Sequence, residues 1–318
     1  MIRPLITVAV VCFNEEKQIA ACLKSLLNQT LVPRLWEILV VDNASTDQTR
    51  EIINQLQKKS ARIRLVINPK RGIAASRNVA LQQARGKYLA FTDADCQATK
   101  KWLEILYQGY QKMKAKDESL VAVGGPNIPP KTTRFYQALG IMLDSFLGSR
   151  GSVQARRYVR DRPVSHLSCA NVLYEKKPLI KIGGFDESLG SIIEDEDLSY
   201  RLAKKGNRFY YIAKAIVIHD QAANYQEWAK KMFIYGKGRM WFLKKYPYRI
   251  TLVFLLPILL VLTLPISVLL YLSLMWIYSF YIALSKRKPK LTRSIFSILI
   301  TTHVFYGLGE IYGIFKNR

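Results

Sequence analysis

Asp93 and Asp95 stand one residue apart where the apolar run Tyr88 to Thr92 gives way to a loop. Two carboxylates so placed can turn toward one hard divalent cation, which prefers oxygen ligands. Without a cation they repel one another and cost stability. Their place at the end of GKYLAFTDADC, an apolar and strand-like run, therefore favours a metal site. A second acidic group, Glu194-Asp195-Glu196-Asp197, opens a helical pattern over Leu198 to Lys205 that stops at Gly206. The helix dipole accounts for one or two acidic residues in a first turn, and four in a row need more. Carboxylates packed together raise one another's pKa and leave one suited to take a proton from a hydroxyl.

These groups need a scaffold, and the first 220 residues supply its pattern. Strand-like runs fall at Ile6 to Phe13, Glu37 to Val41, Ile63 to Ile67 and Tyr88 to Thr92, with helical stretches near 16–28, 46–59 and 73–84 between them. This alternation predicts an α/β fold, a doubly wound and mainly parallel sheet with helices on both faces. Ligands of such sheets bind at the carboxyl ends of the strands. Polar residues gather there: Asn14 and Glu15, Asp42 and Asn43, Asn68 to Gly72, Asp93 and Asp95. Turn chemistry explains any one group, and a shared ligand site explains the four together.

The chain has 318 residues, with 48 Lys and Arg against 23 Asp and Glu, a formal net charge of +25, and half of its residues are hydrophobic. High net charge gives disorder only with low apolar content, so a disordered protein is excluded, and the length allows one large domain or two ordinary ones. The four cysteines lie far apart with no C-x-x-C pair, which points to a reducing compartment without a zinc or disulfide framework. The apolar run near the N-terminus is too short for a signal sequence and reads as a buried strand.

The main boundary follows residue 224. Residues 225–250 interleave basic residues with Trp228, Phe233, Tyr235, Trp241 and Phe242, as a basic amphipathic segment at a membrane interface does. Residues 251–284 contain no charged residue, which meets the usual measure of a membrane segment. Lys244, Lys245 and Arg249 precede this run, and Lys286, Arg287, Lys288, Lys290 and Arg293 follow it. Both flanks prefer the cytoplasm, which favours a hairpin or re-entrant pair turning near Pro265. The apolar stretch Ser294 to Phe315, with His303 and Glu310, is either a further span or an interfacial helix. Residues 251–318 thus form a transmembrane or re-entrant helical region. The same basic and aromatic residues could stack on nucleic acid, but the adjoining apolar segment excludes that partner and places the chain at a membrane.

The segments VAVVCFNEE, VVDNASTDQT, NPKRGIAASRNVALQQARGKYLAFTDADC, GGFDE and EDEDLSYRLAKKG, in that order, resemble the family 2 glycosyltransferases. The resemblance covers about residues 5 to 220 and implies the GT-A fold, with 1–224 as a catalytic domain that binds a nucleotide-sugar donor. The C-terminal part looks like the membrane-attached members that build bacterial exopolysaccharides, which implies the inner membrane with the catalytic domain on its cytoplasmic side. The resemblance puts Asn14, Glu15 and Asp42 near the base and ribose of a UDP- or GDP-sugar and Arg77, with Asp93, by the diphosphate. It makes Asp93 and Asp95 the ligands of Mn²⁺ or Mg²⁺, with His219 either completing the metal shell or serving as an ordinary buried histidine. Asp195 becomes the base that takes the acceptor proton, with Glu194 as the fallback. Asn171, Gly183, Gly184 and Asp197 fall on the acceptor side. The implied reaction is a single displacement that inverts the sugar. The Q-x-x-R-W pattern of processive synthases is missing, since the nearest stretch reads QEWAK, and this departure argues for adding one or a few sugars.

Residues 131–162 hold seven Lys or Arg against two acids and read as a loop over the acceptor. Arg150, Arg156, Arg157, Arg160 and Arg162 suit either a lipid-linked phosphate or diphosphate or a plain basic surface facing anionic lipid. Two rival readings remain. A sugar nucleotidyltransferase would carry a Gly-rich basic loop after its first strand, where CFNEEKQIA has neither glycine nor a dense basic patch. A non-catalytic nucleotide-sugar-binding scaffold would bind a donor without turnover.

Overall fold

The computed structural model describes residues 3–149, 157–189, 192–249 and 252–316. In chain order the elements are β1 (Ile6–Cys12), α1 (Ile19–Leu27), β2 (Trp36–Asp42), α2 (Thr49–Lys59), β3 (Ile63–Ile67), α3 (Ile73–Gln83), β4 (Tyr88–Asp93), β5 (Cys96–Ala98) and α4 (Trp102–Lys114). They continue with β6 (Leu120–Gly124), β7 (Asn127–Ile128), α5 (Arg134–Leu143), α6 (Phe146–Ser149), β8 (Arg162–Val164), β9 (Val172–Glu175), α7 (Lys176–Lys181) and α8 (Glu194–Lys204). The last are β10 (Arg208–Tyr211), β11 (Val217–His219), α9 (Tyr225–Lys245), α10 (Leu252–Ser285) and α11 (Thr292–Phe315). The chain divides into two units, Met1–Ile128 with Arg157–His219, and Pro129–Arg156 with Asp220–Arg318.

The first unit is built on an eight-stranded sheet of order β3-β2-β1-β4-β9-β6-β10-β8. Strands β1, β2, β3 and β4 pair in parallel, and β9 lies antiparallel between β4 and β6. All seven residues of β2 are buried. A parallel strand covered on both faces needs a continuous apolar run rather than alternation, and WEILVVD is close to one. Helix α3 is small-residue rich and buries Ala74, Ala75, Ser76, Arg77, Ala80 and Leu81. The chain leaves β1 for β2 on one side and finds β4 on the other, so a crevice opens beyond their carboxyl ends, where Val11 is in register with Asp93. A separate three-stranded sheet, β5-β11-β7, follows directly on β4 and brings in the strand that ends at His219.

The second unit is helical. Thr133 caps α5 by accepting from the Tyr136 amide, and Asn224 caps α9 by accepting from the amides of Gln226 and Glu227. Residues 134–143, expected as part of a loop, are therefore helix α5, whose buried Tyr136, Leu139, Met142 and Leu143 follow the spacing of one helical face. Arg150 and Arg156 lie outside the described residues, while Arg157, Arg160 and Arg162 are exposed.

Helix α10 runs unbroken through Pro257 and Pro265, which corrects the expected turn near Pro265. Each proline removes one ladder bond, whereas a turn would strand several backbone groups in apolar surroundings, so the continuous helix costs less. The hairpin turn falls instead at the basic cluster, where Arg287 has φ 56°. The Trp276–Phe296 ring pair and the Tyr271–His303 hydrogen bond run α10 and α11 antiparallel from there. Two stretches, Val268–Ser285 and Pro289–Phe315, are long and apolar enough to cross a membrane. Helix α9 packs along α11, and its Trp228 is buried with Nε1 donating 2.8 Å to Thr302 Oγ1. Trp228 and Phe242 thus face protein, not the acyl boundary expected for them, because glycines on both helices let the backbones close up.

Candidate functional site

Strand β4 delivers Asp93 and the turn after it delivers Asp95. Asp95 Oδ2 lies 3.1 Å from His219 Nε2, and the Cys96 thiol is 3.7 Å from Asp95 Oδ1. Donor atoms of Asp95, Cys96 and His219 all lie within 4.8 Å of one another. The pairing of β5 with β11 makes this possible, because it sets His219 directly opposite Cys96, and directly opposed residues share a sheet face. His219 Nδ1 is buried with no partner among the described residues. A carboxylate, an imidazole and a thiol in one such group fit a divalent cation.

Asp93 is turned elsewhere. Its Oδ1 accepts from Arg77 Nη2 at 3.2 Å, and Arg77 Nη1 pairs with Glu194. Arg77 is buried, with its guanidinium over the Phe185 ring at 5.8 Å. Arg77, expected by the diphosphate, pairs its two terminal nitrogens with carboxylates, Asp93 and Glu194. It ties the end of β4 to the start of α8, elements 101 residues apart in sequence.

Helix α8 begins after Ile193, which has φ 64°. Its first turn carries all four acidic residues, and the structure separates their roles. Glu194 is buried against Arg77. Burial pushes its carboxyl up to about 7, with Arg77 opposing and Asp195 adding to the rise. Asp195 is half-buried and also raised above the usual carboxylate range, by burial first, against the opposing pull of Arg77. Asp197 has no exposed surface and accepts from Arg201 Nε at 2.7 Å. Arg201 in turn donates to the carbonyls of Ile182 at 3.1 Å and Gly184 at 2.7 Å, so Asp197 secures the loop that holds Gly183 and Gly184. Those glycines have φ 79° and 72°, a region that side chains with a Cβ avoid. Asn78 completes the clamp, accepting from the Phe185 amide at 2.8 Å and donating to its carbonyl at 2.9 Å.

Several expected donor and acceptor residues are held in the scaffold. Asp42 is fully buried at the end of β2, accepting from Arg50 Nε at 2.7 Å and the Ser45 amide at 3.1 Å. Asn14, at φ 54°, stays exposed, accepts from the Thr46 amide and braces the β1 loop against the β2 loop. The Glu15 amide donates to Thr49 Oγ1 at 2.8 Å, and its side chain is half-buried at the crevice. Asn171 donates to the Pro126 and Ala215 carbonyls and accepts from Trp102 Nε1, which pins the start of β9. Sequence reasoning missed Cys96, Asn78 and Arg201. The D-A-D-C adjacency was a signal for Cys96, and the i,i+4 spacing of Asp197 and Arg201 was one for the clamp.

The family model "Glycosyl transferase family 2" matches residues 7–183. The succinoglycan biosynthesis protein ExoA of Rhizobium meliloti is 30% identical over 236 residues, covering 73% of this chain and 68% of that protein. Glycosyltransferase AglE of Haloferax volcanii is 28% identical over 240 residues, covering 74% of this chain and 73% of that protein. Among solved structures, the mannosyltransferase PcManGT of Pyrobaculum calidifontis, in complex with GDP-Man and Mn²⁺, superposes with a TM-score of 0.63. That match is at 18% identity and covers 98% of this chain and 88% of the other.

Proposed function

Because the chain belongs to glycosyl transferase family 2 and is a glycosyltransferase, we propose that it moves a sugar from a nucleotide-sugar to a lipid-linked glycan at a membrane surface. The transfer inverts the sugar and adds one or a few units. The observation that carries this reading is the Asp95–His219 pair at the end of β4 together with the Arg77 bridge from Asp93 to Glu194, the residue before half-buried Asp195. The donor and metal named for the Pyrobaculum structure support a nucleotide-sugar and a divalent cation. The succinoglycan role named for the Rhizobium relative supports a polysaccharide product.

In this reading Asp195 takes the proton of the acceptor hydroxyl as that oxygen attacks the anomeric carbon, and the nucleoside diphosphate leaves from the opposite face. Asp95 and His219 would hold a divalent cation, Mn²⁺ or Mg²⁺, which would supply positive charge for the leaving diphosphate. Arg77 fixes Glu194, so Glu194 orients the start of α8 and leaves proton transfer to Asp195. Asp197 and Arg201 hold the Gly183–Gly184 loop, whose open backbone suits close approach of a sugar. The apolar helices α10 and α11 attach the chain to the inner membrane, with Lys244, Lys245 and Arg249 before α10 on the cytoplasmic side.

The test is nucleoside diphosphate release by the detergent-purified chain from a panel of UDP-, GDP- and dTDP-sugars, with Mn²⁺, Mg²⁺ or EDTA and with or without bacterial lipid extract. Metal-dependent release from one donor that rises with lipid extract is the expected result. Binding of a donor without release under any condition would overturn it.

A further inference from the structure

We propose that Cys96 is a ligand in the divalent-metal site, so that the site takes borderline and soft cations such as Co²⁺ and Zn²⁺ through a mixed Asp95, Cys96 and His219 shell. This rests on the metal-dependent reading above and adds to it a sulfur donor and the class of ion that donor selects.

A four-coordinate ion with ligand distances of about 2.0 Å to O or N and about 2.3 Å to S has neighbouring ligand atoms about 3.3–3.5 Å apart. The Asp95 Oδ2 to His219 Nε2 distance is 3.1 Å and the Cys96 Sγ to Asp95 Oδ1 distance is 3.7 Å, with all three donors inside 4.8 Å. The Asp95 Oδ2–His219 Nε2 edge is thus at coordination spacing, and the Cys96 thiol lies in reach against the other oxygen of the same carboxylate. The β5–β11 register that opposes Cys96 to His219 fixes this arrangement by backbone pairing, not by loop conformation.

Three protein ligands leave a fourth position open, as in catalytic rather than structural zinc sites. The donor set is also mixed: carboxylate suits Mg²⁺ and Mn²⁺, imidazole suits Zn²⁺ and Co²⁺, and thiolate selects softer ions. Mg²⁺ would leave the sulfur outside its shell, while Co²⁺ or Zn²⁺ would draw it in. The other thiol near this turn, Cys22, donates to the Asp93 carbonyl at 3.5 Å and falls outside the donor group.

The experiment loads the full chain, purified in detergent without a histidine tag, with Co²⁺ and records its absorption spectrum. A sulfur-to-cobalt charge-transfer band in the near ultraviolet is expected, displaced by Zn²⁺, lost in Cys96→Ser and retained in Cys22→Ser. Cys96→Ser should weaken Zn²⁺ binding by at least about 10-fold, since even outer-shell partners are worth about 10–100-fold, while Mn²⁺ binding followed by electron paramagnetic resonance holds. If Cys96→Ser does not fold, persistence of the wild-type band in Cys12→Ser, Cys22→Ser and Cys169→Ser assigns the sulfur by elimination. Co²⁺ that binds and is displaced by Mn²⁺ but shows no such band overturns this inference and leaves the metal-dependent reading standing. Failure of both Co²⁺ and Mn²⁺ to bind overturns both.

Discussion

The two units bury carboxylates in opposite ways. In the first, Asp42 and Asp197 have no exposed surface, and each accepts an arginine Nε at 2.7 Å. Glu194 is likewise matched to Arg77. In the second, Glu310 on α11 has no exposed surface and neither of its oxygens has a partner among the described residues. Around it the helices close on glycine: a Cβ at Gly236 would lie 2.0 Å from the Tyr306 carbonyl oxygen, and one at Gly309 would lie 2.1 Å from that of Phe233. Charge pairing matches these carboxylates of the first unit, whereas the one on α11 sits where helices pack backbone to backbone. Removing one partner of a buried pair leaves an uncompensated charge and is costly, while removing an unmatched carboxylate is not.

That contrast can be broken in order of effect. Asp195 on α8 should be the most sensitive for activity, because a positioned base contributes about 10²–10⁴-fold. Asp195→Asn should lower kcat by that factor with donor binding retained; a wild-type rate would move the base elsewhere. Its pH dependence sharpens the point. A base works only when ionised, and the Asp195 carboxyl is raised, so kcat should fall as pH drops through a value above the usual carboxylate range. An acid limb at an ordinary aspartate pKa would contradict the burial described for this turn.

Asp197→Ala leaves Arg201 without its partner and should cost about 3 kcal/mol of stability, read as a drop in Tm. The same change should raise the acceptor KM as the Gly183–Gly184 loop loosens. Gly309→Ala forces a methyl against backbone and should cost about 1–3 kcal/mol by overpacking, measured by thermal unfolding in detergent, with kcat little affected in what remains folded. Glu310→Met should be the mildest, with Tm unchanged or raised, because an unpaired buried polar group costs about 1–3 kcal/mol. A loss of Tm comparable to that of Asp197→Ala would show that Glu310 has a partner after all, and the contrast between the units would fail.

Much of this was legible along the chain. Parallel strands covered on both faces must be nearly continuous apolar runs, so β1 to β4 stand out by composition, and their carboxyl ends locate the crevice. The D-A-D turn, the acidic start of α8 and the apolar C-terminal run are also local patterns, each set by residues close in sequence. Tertiary structure decided which members of each cluster act together. Cys96 meets His219 only because β5 pairs with β11, across a separation of more than a hundred residues that no local spacing encodes. Arg77 reaches both Asp93 and Glu194 only because β4 and α8 converge, and that convergence is what gives Glu194 a buried partner. The hairpin turn at Arg287 instead of Pro265 has the same origin. A proline costs one ladder bond, and its outcome depends on what the remaining backbone would face, which only the packed helices determine.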